Sequence, residues 1–247
     1  MDLLSSFLAP KYLAWLGDGL LTTLWSSVLV IAASLSLGLL FAAAREYGSP
    51  LTQRLAGVYL SVFRNTPLLV QLFFWYFGLP ALLPEAVLPW LNTPRTLSLG
   101  GVTLLRWPSF EFLAAIVGLV AYSTAYVGED IRSGLRGVSA GQRLAAKALG
   151  FTPWQVLTQV VFPQAMRISA GPLIGQSMNI LKNTSLGMAI GLMELSYRTR
   201  QVEAETWKTF QVYGVSTVLY IAGVALLGVL GAWWQRRLSA RPVATAA

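Results

Sequence analysis

The residues from which this chain could build chemistry are few. It has no histidine and no cysteine, which removes imidazole acid–base catalysis, thiol nucleophiles, disulfides and the commonest metal ligands. Two cations set in apolar surroundings stand out instead. Arg64 lies in Phe63-Arg64-Asn65-Thr66-Pro67, and Lys182 lies in Asn179-Ile180-Leu181-Lys182-Asn183-Thr184-Ser185. A cation at mid-bilayer depth costs about 2.5–3.5 kcal/mol on insertion scales, so it faces a cavity or a partner. Pro67 removes a backbone donor and opens a helix locally. Both segments can therefore offer hydrogen bonds to a polar solute. The alternative is that these groups pair with carbonyls and stabilise a helix bundle, or that Arg64 snorkels to the interface.

Such segments need a membrane to sit in. Of 247 residues, 55% are hydrophobic and 11% charged, well beyond the apolar share of an ordinary soluble domain. The net charge of +8 does not point to nucleic acid, because the basic residues flank apolar runs rather than forming one patch. Apolar runs at about 19–44, 55–79, 112–128, 168–193 and 209–235 match the length of roughly 20 residues that a bilayer core requires. The first is too long for the core of a cleavable signal peptide. The fourth reads as broken at Gly171-Pro172, and Gly187 and Gly191 form a small-xxx-small pair suited to helix packing. Residues 1–18 read as a short amphipathic segment with Tyr12 and Trp15 at the interface, and Trp233 and Trp234 anchor the exit of the fifth run. Every Asp and Glu falls outside these runs or at their edges. Between the second and third runs, Pro80, Pro84, Pro89, Pro94 and Pro108 argue against a helix. Leu97-Ser98-Leu99 and Val102-Thr103-Leu104 flank Gly100-Gly101 there and read as a hairpin with a primed turn.

The expected fold is an all-α membrane protein with five transmembrane helices in a single domain, 1–247. With the N-terminus outside, ten basic residues fall on inner segments (Arg45, Arg54, Arg132, Arg136, Arg143, Lys147, Arg167, Arg236, Arg237 and Arg241). Six fall outside: Lys11, Arg95, Arg106, Arg198, Arg200 and Lys208. That excess favours N-out/C-in and makes the 139–167 loop cytoplasmic.

This loop carries two helix starts. Ser139 with Gln142, and Thr152 with Gln155, have the spacing of capping boxes, and Pro153 suits a first helical position. Gly150 stands where the first helix should end in a left-handed residue, and Pro163 should halt the second. The spacing predicts a short helix, a tight bend and a second short helix. Leu144, Ala145, Ala148 and Leu149 share one face beside a polar strip of Arg143 and Lys147. Read alone, the loop is equally an interfacial helix whose Arg143 and Lys147 face anionic lipid.

The loop is similar to the cytoplasmic Glu-Ala-Ala loop of permease subunits from binding-protein-dependent ABC importers, in which that triplet precedes a Gly and an Ile-x-Leu-Pro. Ala145, Ala146, Gly150 and Pro163 match, Val160 and Phe162 stand for the Ile and Leu, and Leu144 replaces the acidic residue. Arg64-Asn65-Thr66-Pro67-Leu68-Leu69-Val70-Gln71 resembles the Arg-x-Thr-Pro-Leu-x-x-Gln signature of permeases for polar amino acids, and Leu181 to Leu186 resembles that group's Lys-x-Thr/Ser-Ser stretch. The surrounding wording, including Phe74-Trp75-Tyr76 and Ala204-Glu205-Thr206-Trp207, is closest to the glutamate/aspartate branch. The resemblance covers residues from about 20 to 235.

The resemblance implies the type I, MetI-like permease fold in a bacterial inner membrane. It implies contact with an ATPase through Leu144, Ala145, Ala146, Leu149, Gly150, Phe151, Phe162 and Pro163. Arg64, Asn65, Thr66, Gln71, Asn179, Lys182, Asn183, Thr184 and Ser185 would line the substrate pathway. The expected partners are a cytoplasmic ATPase dimer, a second permease chain, identical or homologous, an external amino-acid-binding protein and membrane lipid, with no nucleic acid. The chain has no G-x-x-x-x-G-K-[ST] loop, so ATP and Mg would sit on the ATPase and this chain would be no enzyme. The rivals are a self-contained secondary amino-acid transporter, which would need intramembrane carboxylates, and a scaffold subunit.

Overall fold

The computed structural model describes residues 7–93, 96–99, 102–106 and 108–239. The expectations placed on Pro94, Arg95, Gly100, Gly101 and Arg241 lie outside them. The elements are helices α1 (Pro10–Tyr47), α2 (Pro50–Asn65), α3 (Leu68–Phe73) and α4 (Val87–Asn92), strands β1 (Thr96–Leu99) and β2 (Val102–Arg106), then α5 (Phe110–Gly137), α6 (Ala140–Ala148), α7 (Pro153–Gln155), α8 (Phe162–Asn183), α9 (Leu195–Thr206) and α10 (Thr209–Ser239). Among the described residues the fold is all-α apart from one antiparallel hairpin, in which Thr96 pairs with Arg106 and a register shift falls between Leu97 and Ser98. Among the described residues, three helices are long and apolar enough to cross a membrane by length and composition: Pro10–Tyr47, Phe110–Gly137 and Thr209–Leu238.

Several boundaries differ from expectation. The first apolar run belongs to a helix that already starts at Pro10, because nothing between Pro10 and Gly19 breaks helical bonding, and Asp18 continues within it. The second run is divided: α2 ends at Asn65, α3 starts after Pro67, and a π-turn (Phe74–Gly78) and a 3-10 turn (Leu79–Leu82) follow. The proline-rich stretch does hold a short helix, α4, because Pro89 sits in its first turn, where a missing N–H costs nothing. Gly171-Pro172 does not break the fourth run. Pro172 lies inside α8, where it removes one hydrogen bond while the bonds on either side persist.

The fourth run is interrupted later. At Thr184 the backbone tightens into a 3-10 turn, Thr184–Ile190. The Thr184 hydroxyl donates to the Leu181 carbonyl at 2.7 Å and the Ser185 hydroxyl to the Lys182 carbonyl at 2.6 Å, so side chains compete for carbonyls that a regular helix would use. Gly191, at φ +88°, ends the turn. The Leu192 N–H bonds the Gly187 carbonyl at 3.0 Å and the Gly191 N–H bonds the Met188 carbonyl at 3.1 Å, the two bonds of a Schellman motif. Gly187 and Gly191 thus form a helix terminus, with Gly191 beside Glu111 of α5.

The chain forms two compact units. One comprises the chain up to Val30, Thr66–Tyr122 and Leu181–Tyr220; the other comprises Ile31–Asn65, Ser123–Ile180 and the chain from Ile221 on. The first unit has an apolar cluster of Leu8, Leu16, Leu195, Val202 and Val212. The core of the second includes Ala42, Val127, Ile131, Leu135, Ala146, Val161 and Ala165. At one edge of that second unit the end of α1 is tied to α5 by ion pairs: Arg45 to Glu129 at 3.0 Å, Arg132 to Glu46 at 3.4 Å and Arg136 to Glu46 at 2.9 Å.

Candidate functional site

The 139–167 loop belongs wholly to the second unit. Its first helix, α6, ends as its sequence dictates. Gly150 has φ +84°, the Phe151 N–H bonds the Ala146 carbonyl at 3.1 Å, and the Gly150 N–H bonds the Lys147 carbonyl at 2.9 Å. This is again a Schellman motif. Thr152 and Gln155 then form a complete capping box, the Thr152 N–H bonding the Gln155 side chain at 2.8 Å and the Gln155 N–H bonding the Thr152 hydroxyl at 3.3 Å. Ser139 stands at the start of α6 but makes no capping bond, so the other predicted box does not form; its side chain does not turn onto the first N–H groups.

Pro163 does not halt the second helix. Backbone bonding widens into a π-turn over Val156–Val161 and passes directly into α8, with Pro163 at its second position. A widened turn leaves room for a ring that would clash with a regular i−4 carbonyl. The Thr158 hydroxyl bonds the Trp154 carbonyl at 2.8 Å, and the Gln164 amide bonds the Val160 carbonyl at 2.9 Å.

Solvent exposure divides the loop into two sides. Ala146 is buried in the second unit's core, where Phe151 also packs. Leu144, Leu149 and Trp154 are 65%, 70% and 71% exposed, and Ala145, Ala148 and Pro163 are exposed with them, while Phe162 is half-buried. The apolar face of α6 therefore points away from its own unit. Arg143, expected to flank that face, instead donates to the Leu135 carbonyl at 2.6 Å, closing the end of α5 with a cation where the helix dipole is negative. Trp154 was not singled out from the sequence, although a large aromatic directly after the proline that starts a helix was the available signal.

The residues expected along the pathway separate into exposed groups and structural ones. In the second unit Arg64 is exposed and lies over the Tyr126 ring at 5.3 Å. With Asn65, Ser61, Arg45 and Glu129 it lines a cavity of about 420 Å³. The Asn65 amide bonds the Ser61 hydroxyl at 3.4 Å. Asn179, also in the second unit, is exposed; in the first unit Lys182 is exposed, and Asn183 and Ser185 are half-buried. In the first unit Gln71 is buried, and its amide donates to the Thr66 hydroxyl at 2.7 Å and the Thr66 carbonyl at 3.1 Å. Gln71 and Thr66 therefore clamp the break at Pro67. Thr184 is fully buried and serves the 3-10 turn.

A buried carboxylate also departs from expectation. Glu194, at the edge of the fourth run, is fully buried. It receives the Tyr197 N–H at 2.9 Å as the cap of α9, and the Tyr220 hydroxyl at 2.6 Å and the Thr23 hydroxyl at 3.4 Å. Glu is not among the favoured capping residues, which is why its role was not legible.

The chain matches the family model described as "Binding-protein-dependent transport system inner membrane component" over residues 34–243. It is 34% identical over 222 residues to the probable glutamine ABC transporter permease protein GlnM of Bacillus subtilis, covering 90% of this chain and 92% of that one. It is 28% identical over 223 residues to the glutamate/aspartate import permease protein GltJ of Escherichia coli, covering 89% and 86%. Among solved structures it is similar to one described as an amino acid ABC transporter with histidines, with a TM-score of 0.77 and 27% identity over 96% of this chain and 99% of that one.

Proposed function

The chain belongs to the binding-protein-dependent transport system inner membrane components, the non-catalytic permease subunits of ABC importers, and we propose that it conducts a polar L-amino acid. On this reading it crosses the membrane five times, N-out/C-in, and pairs with a second permease chain, identical or homologous. An external binding protein delivers the substrate, and ATP with Mg acts on a separate ATPase dimer. Closure of that dimer pulls on the 139–167 loop and switches the pathway between inward- and outward-facing states.

The observation that carries this reading is the loop itself. It is locked by a Schellman motif and a capping box, yet turns Leu144, Leu149 and Trp154 outward. An apolar face held rigid and left uncovered fits a protein partner. The contact set is then Leu144, Ala145, Leu149, Gly150 and Pro163 from the expected residues, joined by Ala148 and Trp154. Ala146, Phe151 and the half-buried Phe162 support the loop from within.

Arg64, Asn65, Asn179 and Lys182 are the groups best placed to meet a polar solute, being exposed. Glutamate and aspartate are the narrower reading, supported by the wording around Phe74-Trp75-Tyr76. Competition for labelled glutamate uptake tests it: aspartate should compete and glutamine should not. Equal competition by glutamine would remove the acidic preference.

The assembly itself is tested by purifying the tagged chain in mild detergent and identifying bound proteins by mass spectrometry. An ATPase with a phosphate-binding loop is the expected companion. A chain that purifies alone and moves an amino acid without ATP would instead be a secondary transporter.

A further inference from the structure

Within the second unit, α1, α8 and α10 enclose an open groove of about 230 Å³, walled by Ile31, Leu35, Ile174, Leu227, Leu230 and Trp234. The hydroxyl in its lining, Ser177, donates to the Leu173 carbonyl at 2.9 Å, so the surface offered to a ligand is apolar. Gly231 sets the approach of α8 to α10, since a Cβ there would stand 2.6 Å from Ile174. Leu230 and Trp234 are 51% and 38% exposed, which leaves the groove open.

Helical spacing fixes what stands at the end of the groove. Leu227, Leu230, Gly231 and Trp234 follow one face of α10, which continues at Leu238, and Arg237, three residues beyond Trp234, borders that face. The Arg237 guanidinium lies 4.0 Å from the Trp233 ring centre. Arg236 and Arg237 are both exposed. The helices run antiparallel, because Ile174 meets Gly231 while Met178 meets Gly228. Arg167, seven residues before Ile174 on α8, therefore lies at the same end as Arg237.

We propose that this groove binds an anionic membrane phospholipid. Its acyl chain fills the apolar channel, and Arg237 holds its phosphate, with Arg167 adding charge at the same end. The charge complementarity selects the ligand: an acyl chain alone would need no cations, and a guanidinium binds phosphate oxygens through paired hydrogen bonds.

The test uses the complete transporter in nanodiscs of phosphatidylcholine with or without phosphatidylglycerol, followed by native mass spectrometry of the lipid retained on this chain. Phosphatidylglycerol should be retained in preference. Retention should fall about fivefold in Arg237→Gln and about thirtyfold when Arg167→Gln is added. Leu230→Trp, which fills the groove and leaves the arginines in place, should also lose the lipid. Size-exclusion elution of each complex shows that the variants remain folded. Equal retention of the two lipids, or phosphatidylglycerol unchanged in both the arginine and the Leu230→Trp variants, would overturn the proposal. So would a disulfide between two Leu230→Cys chains, which would put a second copy over the groove.

Discussion

At the scale of single residues, Gly150, Gln71 and Lys182 make separate demands. Gly150 holds φ +84° with nothing near the site of a Cβ, so the penalty for replacing it is conformational rather than a clash. Gly150→Ala should cost about 1–2 kcal/mol and slow uptake. Gly150→Pro cannot adopt the angle, loses the N–H bonded to Lys147 and should abolish uptake while the chain still inserts, as read by membrane fractionation and transport in proteoliposomes. For Gln71, the bonds to Thr66 make a stability prediction. Gln71→Leu removes both bonds across the break at Pro67 and should cost about 1–3 kcal/mol, seen as a lower unfolding temperature. An altered KM at unchanged stability would return Gln71 to the pathway. Lys182→Ala should weaken transport without releasing the ATPase, and unchanged transport would make Lys182 a structural group. Gly150 was legible in the sequence because few residues other than glycine tolerate a left-handed end. Gln71 was not, because its partner exists only once the backbone parts at Pro67.

At the scale of elements, the helix ends at Gly150 and Thr152 were readable from local chemistry, whereas Ser139, with the same spacing as Thr152, makes no cap. The ends set by tertiary context were not readable. Thr152 and Gln155 cap as their spacing requires, and the closing turn after Lys147 forms from residues close in sequence. Pro163 and Pro172 read as breakers yet lie within α8, since a π-turn or a single lost bond accommodates each ring. The end of the fourth run was misplaced for a related reason: the 3-10 turn at Thr184 depends on where its hydroxyl bonds, and spacing does not reveal that. Thr152→Ala should remove about 0.5–2 kcal/mol of capping and loosen the turn beyond Gly150. The expected readout is less amino acid moved per ATP hydrolysed, with the complex intact. Uptake that keeps its full yield per ATP would mean that the second half of the loop does not transmit motion.

For the whole molecule, the membrane class and the all-α architecture were legible because composition alone forces them. The sequence also located the loop, but the side that it turns outward required the fold: Ala146 and Leu149 are three residues apart, one at 5% and the other at 70% exposure. That contrast allows the coupling role to be measured directly. The chain contains no cysteine, so single cysteines can be introduced at Leu149 and Ala146 and joined to the ATPase in the assembled transporter by a short cross-linker reacting with thiol and amine. Leu149→Cys should cross-link to the ATPase, faster or slower as ATP is added, and Ala146→Cys should not. Failure of Leu149→Cys to reach the ATPase in any nucleotide state, while it is readily labelled by a lipid-borne reagent, would contradict the account and leave the loop as a helix lying on the membrane.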